Sequence, residues 1–483
     1  MESPKSRWRS LGPVTRLLLG FTVTVVVCGL AGLVALSLAF PQGHFAERLM
    51  SRVLSLASAT DSWYSMQIAL QHLLSAPGQP FYDGLFFRDH VKFIYPPASL
   101  LPMYALYRLG VALPDLPGAM NSFLFLAPLL TAFFVAAILN RNTESAGLAS
   151  PSRADWAIRS VLAFVLTLAF YPGWKSYHLG QAQSWINCFV TVAIWCWLCG
   201  RRDAAGLLVG LACLIKPQYV LILLWGTSRR QWRFALMGAA VVAAGVLLYG
   251  ALFGYADQIE YFRVLSYVSR HGETYHYNQS VNGLLNRLCF GSATFLPDVY
   301  PPYHPVVFGG TVISSAVLIL AALLWPIARA SRGSVLDLCV IVLSATMASP
   351  VAWEHHYGSL AAIFACLVPG LSSRRVFGRA TMPYLAISYV LCASMFGGMT
   401  RLDHSALNVL QSYLFFGALM VLVALYRLLL PGRGMPGARE AHRRSRSTLP
   451  PGVAKASPGA IGMSGRACYS RVEEAGCRRA CSR

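Results

Sequence analysis

Apolar residues fall in long runs separated by short basic or polar stretches, and the runs are too long for the elements of a soluble core. The first covers Leu17 to Phe40. Others occupy residues 94–113, 118–138, 156–172, 182–199, 204–225, 234–254, 306–326, 335–350, 358–371, 383–398 and 407–430. A helix needs about 17–25 apolar residues to cross a bilayer. The pattern therefore predicts an all-α, polytopic integral membrane protein with about 11–13 transmembrane helices. At 24 residues the first run exceeds the ~7–15 of a signal-peptide core. With basic residues 1–16 before it, it reads as an anchor helix whose N-terminus is cytoplasmic.

Two stretches break the rhythm. Residues 41–93 and 255–305 form long polar loops on the outer side. The middle of the first is amphipathic, with Trp63, Ile68, Leu70 and Leu73 among Gln67, Gln71 and His72, and is expected to lie along the interface. The expected organisation is a cytoplasmic N-terminus over 1–16, a transmembrane domain over 17–430, and a Pro-, Gly-, Ser- and Arg-rich disordered cytoplasmic tail over 431–483. Twelve crossings put both ends inside but leave Arg201 and Arg202 outside, against the positive-inside tendency. Lys216-Pro217 offers a resolution: proline ends a half-helix, and a segment that turns back there returns Arg201, Arg202 and Arg229 to one side.

Composition agrees with the pattern: 56% hydrophobic residues and 12% charged, with a mean hydropathy of +0.52. The net charge of +21 does not point to nucleic acid, because Lys and Arg sit in short loops and the tail. Anionic lipid headgroups are the expected partners, in the plasma membrane. Most of the 12 cysteines lie within apolar runs as small hydrophobes. Cys196 and Cys199 are embedded among tryptophans, which argues against a redox or zinc role.

Acids are scarce, and Asp61, in Ala59-Thr60-Asp61-Ser62-Trp63-Tyr64, lies just past the first span. An ionisable group beside an apolar scaffold is a functional candidate. The outer loops also hold Asp83, Asp89, Lys92, Arg270, Asn278 and Gln279, with Glu354, His355 and His356 at a later membrane boundary. Lys216 and Gln181 stand in apolar surroundings. Neighbouring Glu354, His355 and His356 splay around a helix, so no metal site is expected there. No cofactor is expected, and a divalent metal stays open.

Phe93-Ile94-Tyr95-Pro96-Pro97, Leu179-Gly180-Gln181, Gly206 to Ala212 leading into Lys216-Pro217, Arg229-Arg230-Gln231-Trp232-Arg233, Asn278 to Leu284, and Ser349 to His356 occur in order. The set resembles glycosyltransferase family 87, polyprenol-phosphate-mannose-dependent α-mannosyltransferases of the GT-C superfamily. The resemblance covers about residues 15–430 and implies a GT-C membrane enzyme whose first outer loop supplies a catalytic Asp. Asp61, followed by Tyr64, sits where that family has its acid. Gln183 departs from it, standing where an Asn is usual. The donor would be a sugar on a polyprenyl phosphate, and the acceptor a glycolipid or glycan on the outer face. Tyr64, Tyr95, Gln181, Lys216, Arg270, Asn278, Gln279, Glu354, His355 and His356 become the donor- and acceptor-binding candidates. The chemistry is consistent: a sugar phosphodiester loses a stable phosphate anion, so one base suffices where a glycosidase needs two carboxylates. The alternative, a transporter or flippase for a lipid-linked saccharide, calls for midplane polar residues on several helices, and Lys216 is the main one.

Overall fold

The computed structural model of the protein describes residues 11–39, 57–75, 78–146, 148, 152–290, 300–325, 327, 331–374, 376–396, 399–402 and 405–430. The expected tail over 431–483 and most of the N-terminal segment lie outside these. The described residues form α1 (Pro13–Ala39), α2 (Asp61–Ser75), α3 (Leu101–Arg108), α4 (Leu116–Ser122), α5 (Leu126–Ser145) and α6 (Arg153–Leu168). Then come α7 (Tyr171–His178), α8 (Gln183–Leu198), α9 (Arg202–Ile215), α10 (Val220–Ser228), α11 (Trp232–Phe253) and α12 (Ala256–His271). The last are α13 (Val281–Phe290), α14 (Pro305–Leu324), α15 (Val335–Met347), α16 (Leu360–Arg374), α17 (Thr381–Ala393) and α18 (Tyr413–Leu429). No strand occurs among the described residues.

Among the described residues five segments are long and apolar enough to cross a membrane: Pro13–Gly32, Leu113–Ser145, Trp232–Phe253, Pro305–Leu324 and Ala406–Leu429. α6 and α7, bent by 53° at their junction, make a sixth if counted as one span. The chain is an all-α polytopic membrane protein. The other runs counted toward 11–13 spans hold shorter or broken helices among the described residues, and prolines cut two of them: Pro96, Pro97 and Pro102 in one, Pro217 in another.

The break at Lys216 turns the chain back. A residue before proline is driven into extended backbone, and Lys216 has φ −136° and ψ 105°. α9 runs alongside α11 in the same direction, with Gly206 against Phe234 and Gly210 against Gly238 and Val241. α10 returns in the opposite direction, Gly226 against Phe234 and Leu223 against Gly238. Small residues let these backbones meet closely. Consequently the two ends of the hairpin coincide: Arg233 pairs with Asp203, and Arg229 Nε lies 2.8 Å from Asp337 Oδ2. Asp337 also accepts from Trp225 Nε1 at 3.2 Å and Gly333 N at 2.9 Å. Arg201, Arg202 and Arg229 thus share one end, the arrangement expected of a broken segment. α8, about 24 Å long at 1.5 Å per residue, separates that end from Gln181.

At the other end the two long loops are packed together. Trp63, Met66 and Leu70 of α2, Phe81, Tyr82 and Phe93, and Tyr261 and Val264 of α12 make one buried aromatic cluster. Its glue is burial of rings, the largest apolar areas a chain can remove from water. The second loop is then pinned to the segment before α16: Gln279 N donates to Ala352 O at 2.7 Å and Glu354 N to Tyr277 O at 3.0 Å.

Candidate active site

Asp61 is positioned by two segments far apart in sequence. Ala59 N donates to His178 O at 2.8 Å, Asp61 N to Leu179 O at 3.0 Å and Ser62 N to Gly180 O at 3.3 Å. Gly180 has φ +65°, and a Cβ there would strike the carbonyl of Ala59, so this close passage needs glycine. The next residue completes the arrangement: Gln181 Nε2 donates to Asp61 Oδ2. Gln181 Oε1 accepts from Ser62 Oγ at 2.6 Å and Tyr95 Oη at 3.2 Å. Two hydroxyls on the amide oxygen fix which way the amide faces, and its nitrogen is left for the carboxylate.

Asp61 opens onto a cavity of about 460 Å³. Its walls bear Lys92, Lys175, His178, Glu273 and His355, with Tyr171, Trp174, Tyr275, Tyr277 and Trp353. Both lysines are matched by carboxylates. Lys175, from the short helix α7, reaches Glu354 Oε2 at 2.8 Å and stands 3.0 Å over the Tyr277 ring. Glu354 Oε1 also accepts from Tyr413 Oη at 2.6 Å. Lys92 lies 2.5 Å from Glu273 Oε1, whose other oxygen accepts from Trp353 Nε1. Pairing of this kind is what allows charge to be buried at all.

His355 is 3% exposed, and neither ring nitrogen has a hydrogen-bond partner among the described residues. Burial, then the positive charges of Lys216 and Lys175, pushes its pKa well below the usual histidine value. The imidazole is neutral at neutral pH, with one donor and one acceptor to offer. Lys216 stands near enough to depress His356 as well, after burial itself. Lys216 is half-buried and does not line the cavity; its terminal nitrogen is shielded and has no hydrogen-bond partner among the described residues. Among the described residues no group of three or more His, Cys, Asp or Glu is arranged to hold a metal.

Residues 93–350, more than half of the 483, match the model of glycosyltransferase family 87. The chain belongs to glycosyltransferase family 87. It is similar to a polyprenol-phosphate-mannose-dependent alpha-(1-2)-phosphatidylinositol pentamannoside mannosyltransferase of Mycolicibacterium smegmatis, 25% identical over 60% of this chain and 65% of that protein. A polyprenol-phosphate-mannose-dependent alpha-(1-2)-phosphatidylinositol mannoside mannosyltransferase of Mycobacterium tuberculosis is 30% identical over 32% of this chain and 33% of its own length. Its Mycolicibacterium smegmatis namesake is 26% identical over 58% and 63%. The chain thus spans less than two thirds of each of these relatives. No solved structure matches it.

In this family 87 chain the structure sorts the residues singled out from sequence. Asp61, Gln181 and Tyr95 come together, and His355 lines the same cavity. Glu354 is spent on Lys175 and Tyr413. His356 Nδ1 accepts from Trp353 N at 3.2 Å and so braces the turn. Asn278 and Gln279 are buried away from the cavity. Asn278 binds the carbonyls of Glu273 and Pro350, and Gln279 accepts from Leu414 N and Phe415 N at the start of α18. Tyr64 is 60% exposed and Arg270 is exposed too, and neither lines the cavity. Asp89, a rival acid, is exposed beside Arg88. Sequence reasoning missed Lys175 and Glu273. The aromatic and basic stretch Trp174-Lys175-Ser176-Tyr177-His178 was the available signal for Lys175.

Proposed function

We propose that this member of family 87 is an inverting, membrane-embedded glycosyltransferase. It transfers a hexose, mannose, from polyprenyl phosphate to a hydroxyl of a glycolipid or glycan. The observation that carries this reading is Asp61, a carboxylate gripped by an amide at the edge of a cavity whose walls also bear Lys92, Lys175 and a neutral His355. Asp61 takes the proton of the acceptor hydroxyl as its oxygen bonds to the anomeric carbon. The bond from that carbon to the phosphate oxygen breaks, and polyprenyl phosphate departs with the electron pair. A single displacement inverts the centre, and the anionic leaving group needs no acid.

We assign Lys216 to the leaving phosphate: it lies behind the cavity wall, close to His355, and its nitrogen has no hydrogen-bond partner among the described residues, whereas Lys92 and Lys175 are already opposed by glutamates. His355 Nδ1 and Nε2 suit a sugar hydroxyl or phosphate oxygen. The names of the relatives support mannose as the sugar and a phosphatidylinositol mannoside as the acceptor class. Arg201, Arg202, Arg229 and Arg233 at the end away from the cavity support a plasma-membrane orientation with cytoplasmic termini and an outward cavity.

The test is transfer of radiolabelled mannose from polyprenyl phosphate to phosphatidylinositol mannosides in membranes containing the full chain. Label is expected in the glycolipid, with an α-linkage formed from a β-linked donor. Transfer from a sugar nucleotide alone, or retention of configuration, overturns the reading.

A further inference from the structure

We infer that Gln181, backed by Tyr95 and Ser62, is a positioning residue that orients Asp61 and does not itself touch the substrate; the inference rests on Asp61 being the base. Gln181 is 4% exposed and is absent from the cavity wall that Asp61 helps form. Its nitrogen is directed at Asp61 and its oxygen is occupied by the hydroxyls of Ser62 and Tyr95. The backing is itself anchored. Ser62 Oγ lies 2.7 Å from Tyr95 Oη and accepts from Ala182 N at 3.1 Å, while Tyr82 Oη donates to Tyr95 O at 2.6 Å. Every member is buried, so the chain of bonds cannot be exchanged for water without opening the loop packing.

A carboxylate on a single side-chain bond swings freely unless something outside holds it. Misplacing a reacting group by about 1 Å costs on the order of 10²-fold in rate. Both the backbone N–H of Asp61, on Leu179 O, and its side chain, on Gln181, are restrained. Leu179, Gly180 and Gln181 are consecutive, so one turn supplies both restraints.

The experiment uses the purified full chain with polyprenyl-phosphate mannose and a phosphatidylinositol mannoside. Gln181→Glu preserves shape and keeps an oxygen for Ser62 and Tyr95, but sets a second acid against Asp61. It is expected to lower kcat about 10²-fold with KM for both substrates within about twofold, the signature of an interaction felt only in the transition state. Tyr95→Phe removes one hydroxyl from the amide oxygen and is expected to lower kcat about 3- to 10-fold, again with KM unchanged. It decides the matter if Gln181→Glu does not fold. A raised KM at unchanged kcat in either variant overturns the inference, because Gln181 would then be binding substrate. Full kcat in both overturns it too. Asp61→Asn run alongside separates the two failures: if it stays active, the base assignment falls, and if it is dead while the Gln181 and Tyr95 variants are normal, only the positioning role falls.

Discussion

Asp61 and Asp337 each occupy the first turn of a helix, where the exposed backbone N–H groups favour an acid. Each is also gripped by a side chain from a distant segment. Asp337 is 1% exposed, and its oxygens are bound by Arg229, Trp225 and the backbone of Gly333. Asp61 is held by an uncharged amide and faces a cavity. The contrast shows how one residue type serves two ends of a membrane bundle. A carboxylate buried among donors on every side ties helices together, and one that opens onto a cavity can reach a substrate's proton.

Exchanging each acid for its amide separates the two roles most sharply. Asp61→Asn is expected to lower turnover by about 10²-fold or more while thermal unfolding in detergent stays as in the parent. Asp337→Asn leaves Arg229 without its buried counter-charge, and the usual cost is about 3–5 kcal/mol, seen as a lowered unfolding temperature. If Asp337→Asn unfolds normally and only turnover falls, the division between the ends fails.

A smaller effect is expected at Lys216. Lys216→Met removes an unpartnered ammonium from apolar surroundings, so membrane insertion is at least as good as in the parent. Donor KM is expected to rise about tenfold or more, the scale of one lost charge-assisted contact, and Lys216→Arg to recover part of it. Unchanged donor kinetics in Lys216→Met would move the phosphate to Lys175 or His355. The smallest effect belongs to Asp203→Asn. The Arg233 side chain is 79% exposed and that of Asp203 39%, so the unfolding free energy in denaturant is expected to change by about 0–1 kcal/mol.

Much of this is legible in the chain before folding. Asp61 stands out because acids are few, and Gly180-Gln181 because a turn accounts for the glycine but not for the amide. Lys216-Pro217 announces a break through the steric rule for residues before proline. What stays hidden depends on which segments meet. Tyr64 lies off the Trp63, Met66 and Leu70 stripe that buries α2, so it faces outward despite its spacing from Asp61. Arg270 likewise lies off the buried stripe of Asp257, Tyr261 and Val264 on α12. Asn278 and Gln279 have the composition of substrate contacts, yet backbone carbonyls and amides take up their polar atoms, an outcome set by a loop more than 70 residues away. Lys92–Glu273 and Lys175–Glu354 are unions of opposite charges about 180 residues apart, and no local pattern joins them.

The passage of residues 59–62 along 178–180 has a practical consequence for anyone recombining members of this family. The acid and the turn that aims it lie 120 residues apart in the chain, yet they must fit each other closely. A hybrid with its crossover between residues 62 and 178 inherits the acid from one parent and the turn from the other, and will work only where both parents agree at those two places.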